Sequence, residues 1–250
     1  SKLYGFHGWY YERIPNTLAI RALTTEFFHF AYYTDYQLTQ PYNVPGMAYT
    51  LGLGETQIIG GPNGEKIKGS FNKETILGLQ YELKPDLNLG ARLIYRELGR
   101  AIEDISFDGG STYIVTNPDA WTNAWCPDAL GRPGYWWRFP KPVRIYKALE
   151  LTMDKRFSNN WQMGGSYVLS RLHGNYEGLF SNDNGQLDPN ITSKYDIPSL
   201  LENAYGLLPN DRTHVLKLYG SYSFPWGLDL SGNFQLQSGT PISKLGADDA

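Results

Sequence analysis

Residues 145–173 read IYKALELTMDKRFSNNWQMGGSYVLSRLH. Two alternating runs flank the triplet SNN at 158–160. In the first, Ile145, Leu149, Leu151, Met153 and Phe157 share one side, against Tyr146, Glu150, Thr152, Asp154 and Arg156. In the second, Trp161, Met163, Tyr167 and Leu169 oppose Gln162, Gly164, Ser166 and Ser170. A period of two marks a strand with one apolar face, and Ser-Asn-Asn is turn chemistry. Some 13 residues at ~3.3 Å each cover ~43 Å, which a 45° tilt reduces to ~30 Å, about the thickness of a bilayer core. Strands of soluble domains are shorter, typically about 5–6 residues. The polar side carries Glu150, Asp154 and Arg156, which are costly to pack against a second sheet and cheap to face water. The stretch therefore predicts a membrane-spanning hairpin of a β-barrel.

The same alternation recurs along the chain. KETILGLQYEL at 73–83 and LNLGARLIYRE at 87–97 flank the turn signal KPD. Runs at 213–224 and 228–237 flank PWG, and LYGFHGWYY at 3–11 is aromatic and less regular. Seven strands are expected, at about 1–13, 71–83, 87–101, 145–157, 160–173, 213–224 and 227–238. Very short turns alternate with the long segments 14–70, 102–144 and 174–212. Soluble domains rarely hold several such connections, whereas membrane barrels have short turns on one side and long loops on the other. The fold class expected is all-β, a segment of a large transmembrane antiparallel barrel. A propeller, a solenoid or a sandwich with one wet face are the soluble alternatives. Bacterial barrels have an even number of strands, so further strands are expected outside these seven, and both chain ends read as cuts in a longer precursor.

Composition agrees. Charged residues are only 19%, while 19 Tyr, 7 Trp and 27 Gly replace much of the usual aliphatic content. Tyrosine and tryptophan suit places with one dry and one wet end. Aromatics cluster near the strand ends: Trp9, Tyr10 and Tyr11; Tyr81 and Tyr95; Tyr146; Phe157 and Trp161; Phe224 and Trp226. That is the placement of two interfacial girdles. Net charge is −3 with no basic patch, so a nucleic-acid partner is not expected. The single cysteine, Cys126, excludes an internal disulfide. No apolar run is long enough for a membrane helix, a criterion blind to barrels.

Nothing points to an enzyme. GxSxG and HExxH are absent, and no cofactor is expected. The loop around 111–144 sets Trp121, Trp125, Tyr135, Trp136 and Trp137 beside Arg132 and Arg138. Aromatics with charged neighbours are what an extracellular ligand contact would use; the same rings could instead form the loop's own core. Asp183, Asn184 and Asp188 form a weak Ca²⁺ candidate, because their spacing is not that of an EF-hand. Turn formation explains these Asx residues equally well, and no metal is expected. His173 and His214 flank one long loop on neighbouring strands, where hydrogen bonding is the simpler role.

LGLQYELKPDLNLGARLIYRELGRAIEDI (77–105), LELTMDKRFSNNWQMGGSYVLSRLHGNYEG (149–178), LFSNDNGQLDPNITSKYDIPSLLENAYGLLPNDRTHVLKLYGSYSFPWGL (179–228) and LQSGTPIS (236–243) resemble the C-terminal barrel of TonB-dependent outer-membrane receptors. More narrowly, they resemble the Oar-like, carboxypeptidase-regulatory-like group. The resemblance runs over about 71–243, and 1–15 is similar to an earlier strand of the same barrel. It implies a complete barrel of about 22 strands around a plug. It also implies an outer-membrane location, with long loops extracellular and short turns periplasmic. The implied partners are the lipid bilayer, an unknown extracellular ligand and, through an N-terminal part of the full-length protein, TonB–ExbB–ExbD. The repeated strings KRFSNNW, SRLHGNYEG and LPNDRTH place Arg171, Asn175, Tyr176, Glu177, Asp211 and Arg212 as structural residues at loop bases. The function implied is energised uptake of a scarce ligand. Alternatives are an Oar-like barrel for protein export or surface assembly, a soluble carbohydrate-binding or adhesive β-domain, and a structural outer-membrane subunit.

Overall fold

Asn159 and Asn160 both adopt positive φ, 51° and 67°, the backbone that a tight two-residue hairpin requires. Asparagine tolerates this conformation better than other residues with a side chain. Gly227, at φ 91°, closes the PWG turn, where the Phe224 amide donates to the Leu228 carbonyl at 2.7 Å. These turns connect long strands into one meander. The computed structural model describes residues 1–14, 16, 60–61, 64–106, 113–122, 139–181, 185 and 189–242, and the backbone of 27–30, 49–52 and 57–58.

The seven long strands are β1 (Lys2–Tyr11), β2 (Phe71–Lys84), β3 (Leu87–Arg100), β4 (Arg144–Ser158), β5 (Trp161–Gly174), β6 (His214–Ser223) and β7 (Asp229–Gln237). Each pairs antiparallel with its neighbour in sequence, so the sheet order is the chain order. Among the described residues the sheet is open. This is the expected all-β class, a barrel wall segment with short turns at one end and long loops at the other. No helix among the described residues is long and apolar enough to cross a membrane; strands could do so.

Register sorts the residues into two faces. Leu3, Leu79, Ala91, Leu151, Tyr167, Leu216 and Leu236 form one continuous cross-strand row. The next row towards the loops holds Leu77, Leu93, Leu149 and Leu169. Among the described residues nothing covers this face: Leu77 and Leu93 are each 57% exposed and Leu236 is 59% exposed. A monomeric soluble protein rarely shows such a large contiguous apolar surface, but a barrel wall in lipid does. The opposite face holds Glu74, Arg92, Arg96 and Glu150, again in direct register. At Gly78 and Gly164 on this polar face, a tyrosine from the next strand, Tyr4 and Tyr219 respectively, fills the space. A Cβ at Gly164 would lie 2.2 Å from the Tyr219 ring.

The turn end is tied together by Lys155. Its ammonium lies 2.8 Å from the Asp86 carboxylate and 4.4 Å from the Trp161 ring centroid. Ser158 donates its hydroxyl to the same carboxylate. The ammonium and this hydroxyl hold the Asp86 pKa down to about 2. One salt-bridged cluster thereby links the KPD turn to the SNN turn and accounts for KRFSNNW as a unit.

The core lies beyond the sheet's loop end, not between sheets. Ala101, Ile105, Trp121, Phe139, Tyr176, Tyr195 and Leu201 form a buried cluster made almost wholly of loop residues. A small sheet supports it, with Glu103–Ile105 antiparallel to Ile114–Thr116 and Gln57–Ile58 parallel to the latter. Three of the chain's long connections therefore contribute to one folded cap.

Candidate functional site

The polar wall beneath this cap is the candidate site. Period-two alternation places the charges there, and register pairs them by sign. Arg96 Nε donates to Glu74 at 2.6 Å from the facing strand, and Arg92 donates to Glu150 one strand further on. Opposite charges directly across a sheet stabilise its register. Arg144 stands above them, its Nε donating to the Glu177 carbonyl at 3.2 Å. Two contiguous clefts meet at Arg144 and Asn210. The lower, of about 530 Å³, runs along Glu74, Arg92 and Glu150; the upper, of about 260 Å³, reaches Glu12, Tyr176 and Glu177. Asn72 donates to Glu12 at 2.9 Å, while burial raises the Glu12 pKa. This wall is lined with fixed, alternating charge and hydrogen-bonding groups. It suits a polar solute or a polar protein surface.

The string HGNYEG forms the hinge between wall and cap. Gly174 has φ 150°, and a Cβ there would lie 1.8 Å from the Val143 carbonyl oxygen, so glycine is required. Asn175 accepts from the Val143 amide at 2.7 Å and donates to the Lys141 carbonyl at 3.1 Å. Tyr176 packs edge-on against Tyr195 with ring centroids 5.6 Å apart. Glu177 accepts from Ser181 and Lys194, each at 2.8 Å. Just before the returning strand β6, Asp211 accepts from the Leu172 amide at 2.5 Å and from Thr213 at 3.2 Å. Arg212 donates to the Ser238 carbonyl at 2.8 Å, beyond the end of β7. Arg171 differs from these: it is exposed on the apolar side of β5.

Of the aromatic loop residues singled out above, Trp121 is described. It is buried in the cap, and its indole N–H donates to Thr116 Oγ1 at 2.8 Å. It therefore packs the loops together. Trp125, Arg132, Tyr135, Trp136, Trp137 and Arg138 lie outside the described residues, as do Asp183, Asn184 and Asp188. Among the described residues no group of three or more His, Cys, Asp or Glu side chains could hold a metal. His214 hydrogen-bonds the Tyr167 hydroxyl at 2.8 Å, and His173 meets Tyr205 edge-on at 6.1 Å.

Sequence reasoning missed the residues that stitch the cap. Asn117 accepts from the Lys68 amide and donates to the Lys68 and Ala101 carbonyls, all at 2.8 Å. Asn190 donates to the Ile102 carbonyl at 3.0 Å, and Glu103 accepts from the Thr192 amide at 2.7 Å. Glu103 is fully buried, and desolvation raises its pKa well above the usual carboxylate value. Burial also raises the Tyr176 and Tyr195 hydroxyls and brings Asp196 up to about 6. The only sequence signal for this network was a set of Asn and Asp residues in loops, which turns explain equally well.

Comparison with known proteins agrees with this architecture. The outer membrane beta barrel domain family matches residues 136–249. The TonB-dependent transporter Oar of Myxococcus xanthus is 38% identical over 192 residues, which are 75% of this chain and 17% of that protein. The outer membrane transporter YddB of Escherichia coli matches 95% of this chain and 26% of its own, with TM-score 0.48 and 13% identity. This chain thus spans under a fifth of the length of its Oar relative. With an apolar face laid bare, a charged face in register and this sequence likeness, the chain is a segment of an outer-membrane β-barrel, similar in sequence to the TonB-dependent transporter Oar.

Proposed function

We propose that the chain forms part of the wall and outer cap of a transporter that takes up a scarce ligand across the outer membrane. The observation that carries this reading is the division of one sheet into a lipid-ready face and an ion-paired face, beneath a folded loop cap. The short turns then face the periplasm and the cap faces outside. Open sheet edges in hydrocarbon leave backbone groups unpaired, so closure draws on strands beyond these seven. The charged wall would contact a plug or the passing ligand, and TonB–ExbB–ExbD would supply energy through the full-length protein. The relative's name, TonB-dependent transporter, supports that energisation.

The deciding experiment is deletion of the full-length gene. Growth would be followed on limiting iron chelates, cobalamin, oligosaccharides and peptides. Loss of growth on one ligand class, restored by the intact gene but not by one lacking its TonB-contacting segment, is expected. An unchanged profile on every class would overturn the uptake reading.

A further inference from the structure

The apolar face ends in a pair of cations that have no carboxylate partner among the described residues. Lys147 of β4 and Arg171 of β5 are directly opposed across the strands, both exposed, on the same face as Leu149 and Leu169. Like charges directly opposite each other destabilise a sheet unless something lies between them. Neither is paired with a carboxylate among the described residues; Lys147 Nζ instead sits 5.9 Å from the Tyr95 ring centroid. An acid on this face, Glu97, is engaged by Lys73 at 3.1 Å and by the Tyr95 hydroxyl at 2.9 Å. Among the described residues this leaves Lys147 and Arg171 without a carboxylate at the level where the apolar band stops.

Immediately below them is a shallow groove of about 550 Å³, walled by Leu77, Leu93, Leu149 and Leu169. Charges above and hydrocarbon below is the polarity of a lipid molecule seated with its headgroup towards the loops. A single phosphate can accept from an ammonium and a guanidinium together, and it would relieve the repulsion between them. We propose that Lys147 and Arg171 form a binding site for the phosphate of an outer-leaflet lipid, with an acyl chain lying in the leucine groove. The site rests on reading the exposed apolar face as the lipid face. It adds a specific, charge-selected lipid to a wall otherwise solvated by bulk hydrocarbon.

The test uses the full-length protein folded in detergent, with native mass spectrometry titrating phosphorylated lipid A, its dephosphorylated counterpart and inorganic phosphate. The wild-type protein is expected to retain the phosphorylated lipid on the order of 10-fold more tightly than the dephosphorylated one. The Lys147→Gln/Arg171→Gln double variant is expected to lose that preference. Lys147→Arg/Arg171→Lys should keep it, and so should Lys217→Gln, which removes a cation from the opposite face. Heat-modifiable gel mobility checks folding separately. If the double variant does not fold, the wild-type preference for phosphorylated lipid decides alone. Equal retention of the two lipids by wild type would overturn the headgroup site while leaving the lipid-face reading intact. Inorganic phosphate that displaces the lipid at equal concentration would also overturn it, by marking a soluble-anion site. A protein that stays folded and monomeric without detergent would remove the lipid face itself.

Discussion

The two faces of the sheet obey opposite rules although they share every backbone atom. On the outward face, Leu79, Ala91, Leu151 and Tyr167 stand in one row, with nothing packed over them among the described residues. On the inward face, Glu74 and Arg96, then Arg92 and Glu150, satisfy one another pairwise. A soluble sheet buries its apolar side and wets its polar side. Here the apolar side is the outer surface, so the solvent on that side must be hydrocarbon. The difference teaches that face identity in this protein is set by its surroundings and not by an internal core.

Placing a charge on the wrong face is the most direct way to break the comparison. Leu151→Arg, near the middle of the outward face, is expected to cost ~2–4 kcal/mol and to impair assembly, read as the heat-modifiable fraction after refolding into bilayers. Next in size is Gly174→Ala at the hinge, where both the Val143 carbonyl and the positive φ oppose a side chain. A loss of ~1–3 kcal/mol is expected, with weaker hydrogen-exchange protection in the cap and unchanged protection in β2 and β3. Uniform protection in the variant would contradict the hinge.

The cap should respond to pH in a direction the wall does not. Burial raises Asp196 from 3.8 to about 6, so the folded cap binds this proton more tightly than the unfolded chain does. Its contribution is fully present below pH ~3.8 and falls as pH rises through about 6. Glu103 acts in the same direction. Exchange protection of the Ser106 amide, which donates to the Asp196 carbonyl at 2.6 Å, should therefore decline between about pH 4 and 6.5 after correction for intrinsic rates. Asp196→Asn should flatten that decline; an equally steep one would exclude Asp196 as its source. The smallest effect expected is Glu150→Gln on the inward face, at about 1 kcal/mol or less, because water and neighbouring polar groups can replace the ion pair with Arg92. Folding yields equal to those of Leu151→Arg would contradict the face assignment.

Legibility in the sequence follows the same division. The wall was readable because a two-residue period places each side chain on a face before any partner is known. SNN and PWG were readable because positive φ selects Asn and Gly. The strings HGNYEG and LPNDRTH stood out, but their reasons did not. Gly174 is required by a carbonyl oxygen of β4's approach, and Asp211 by the amide of Leu172 on the neighbouring strand. Trp121 could be weighed as ligand contact or loop core from sequence; its position among Ile105, Tyr195 and Leu201 depends on three separate loops meeting.

By itself, then, the sequence determined the seven strands, their faces, the turn end and the membrane class, since each follows from local periodicity and turn chemistry. Tertiary structure alone decided which charges pair across the wall, how the long connections share one buried core, and that Lys147 meets Arg171 on the lipid side. Those features depend on strand register and on contacts between residues as far apart as Glu103 and Thr192, which no local pattern encodes.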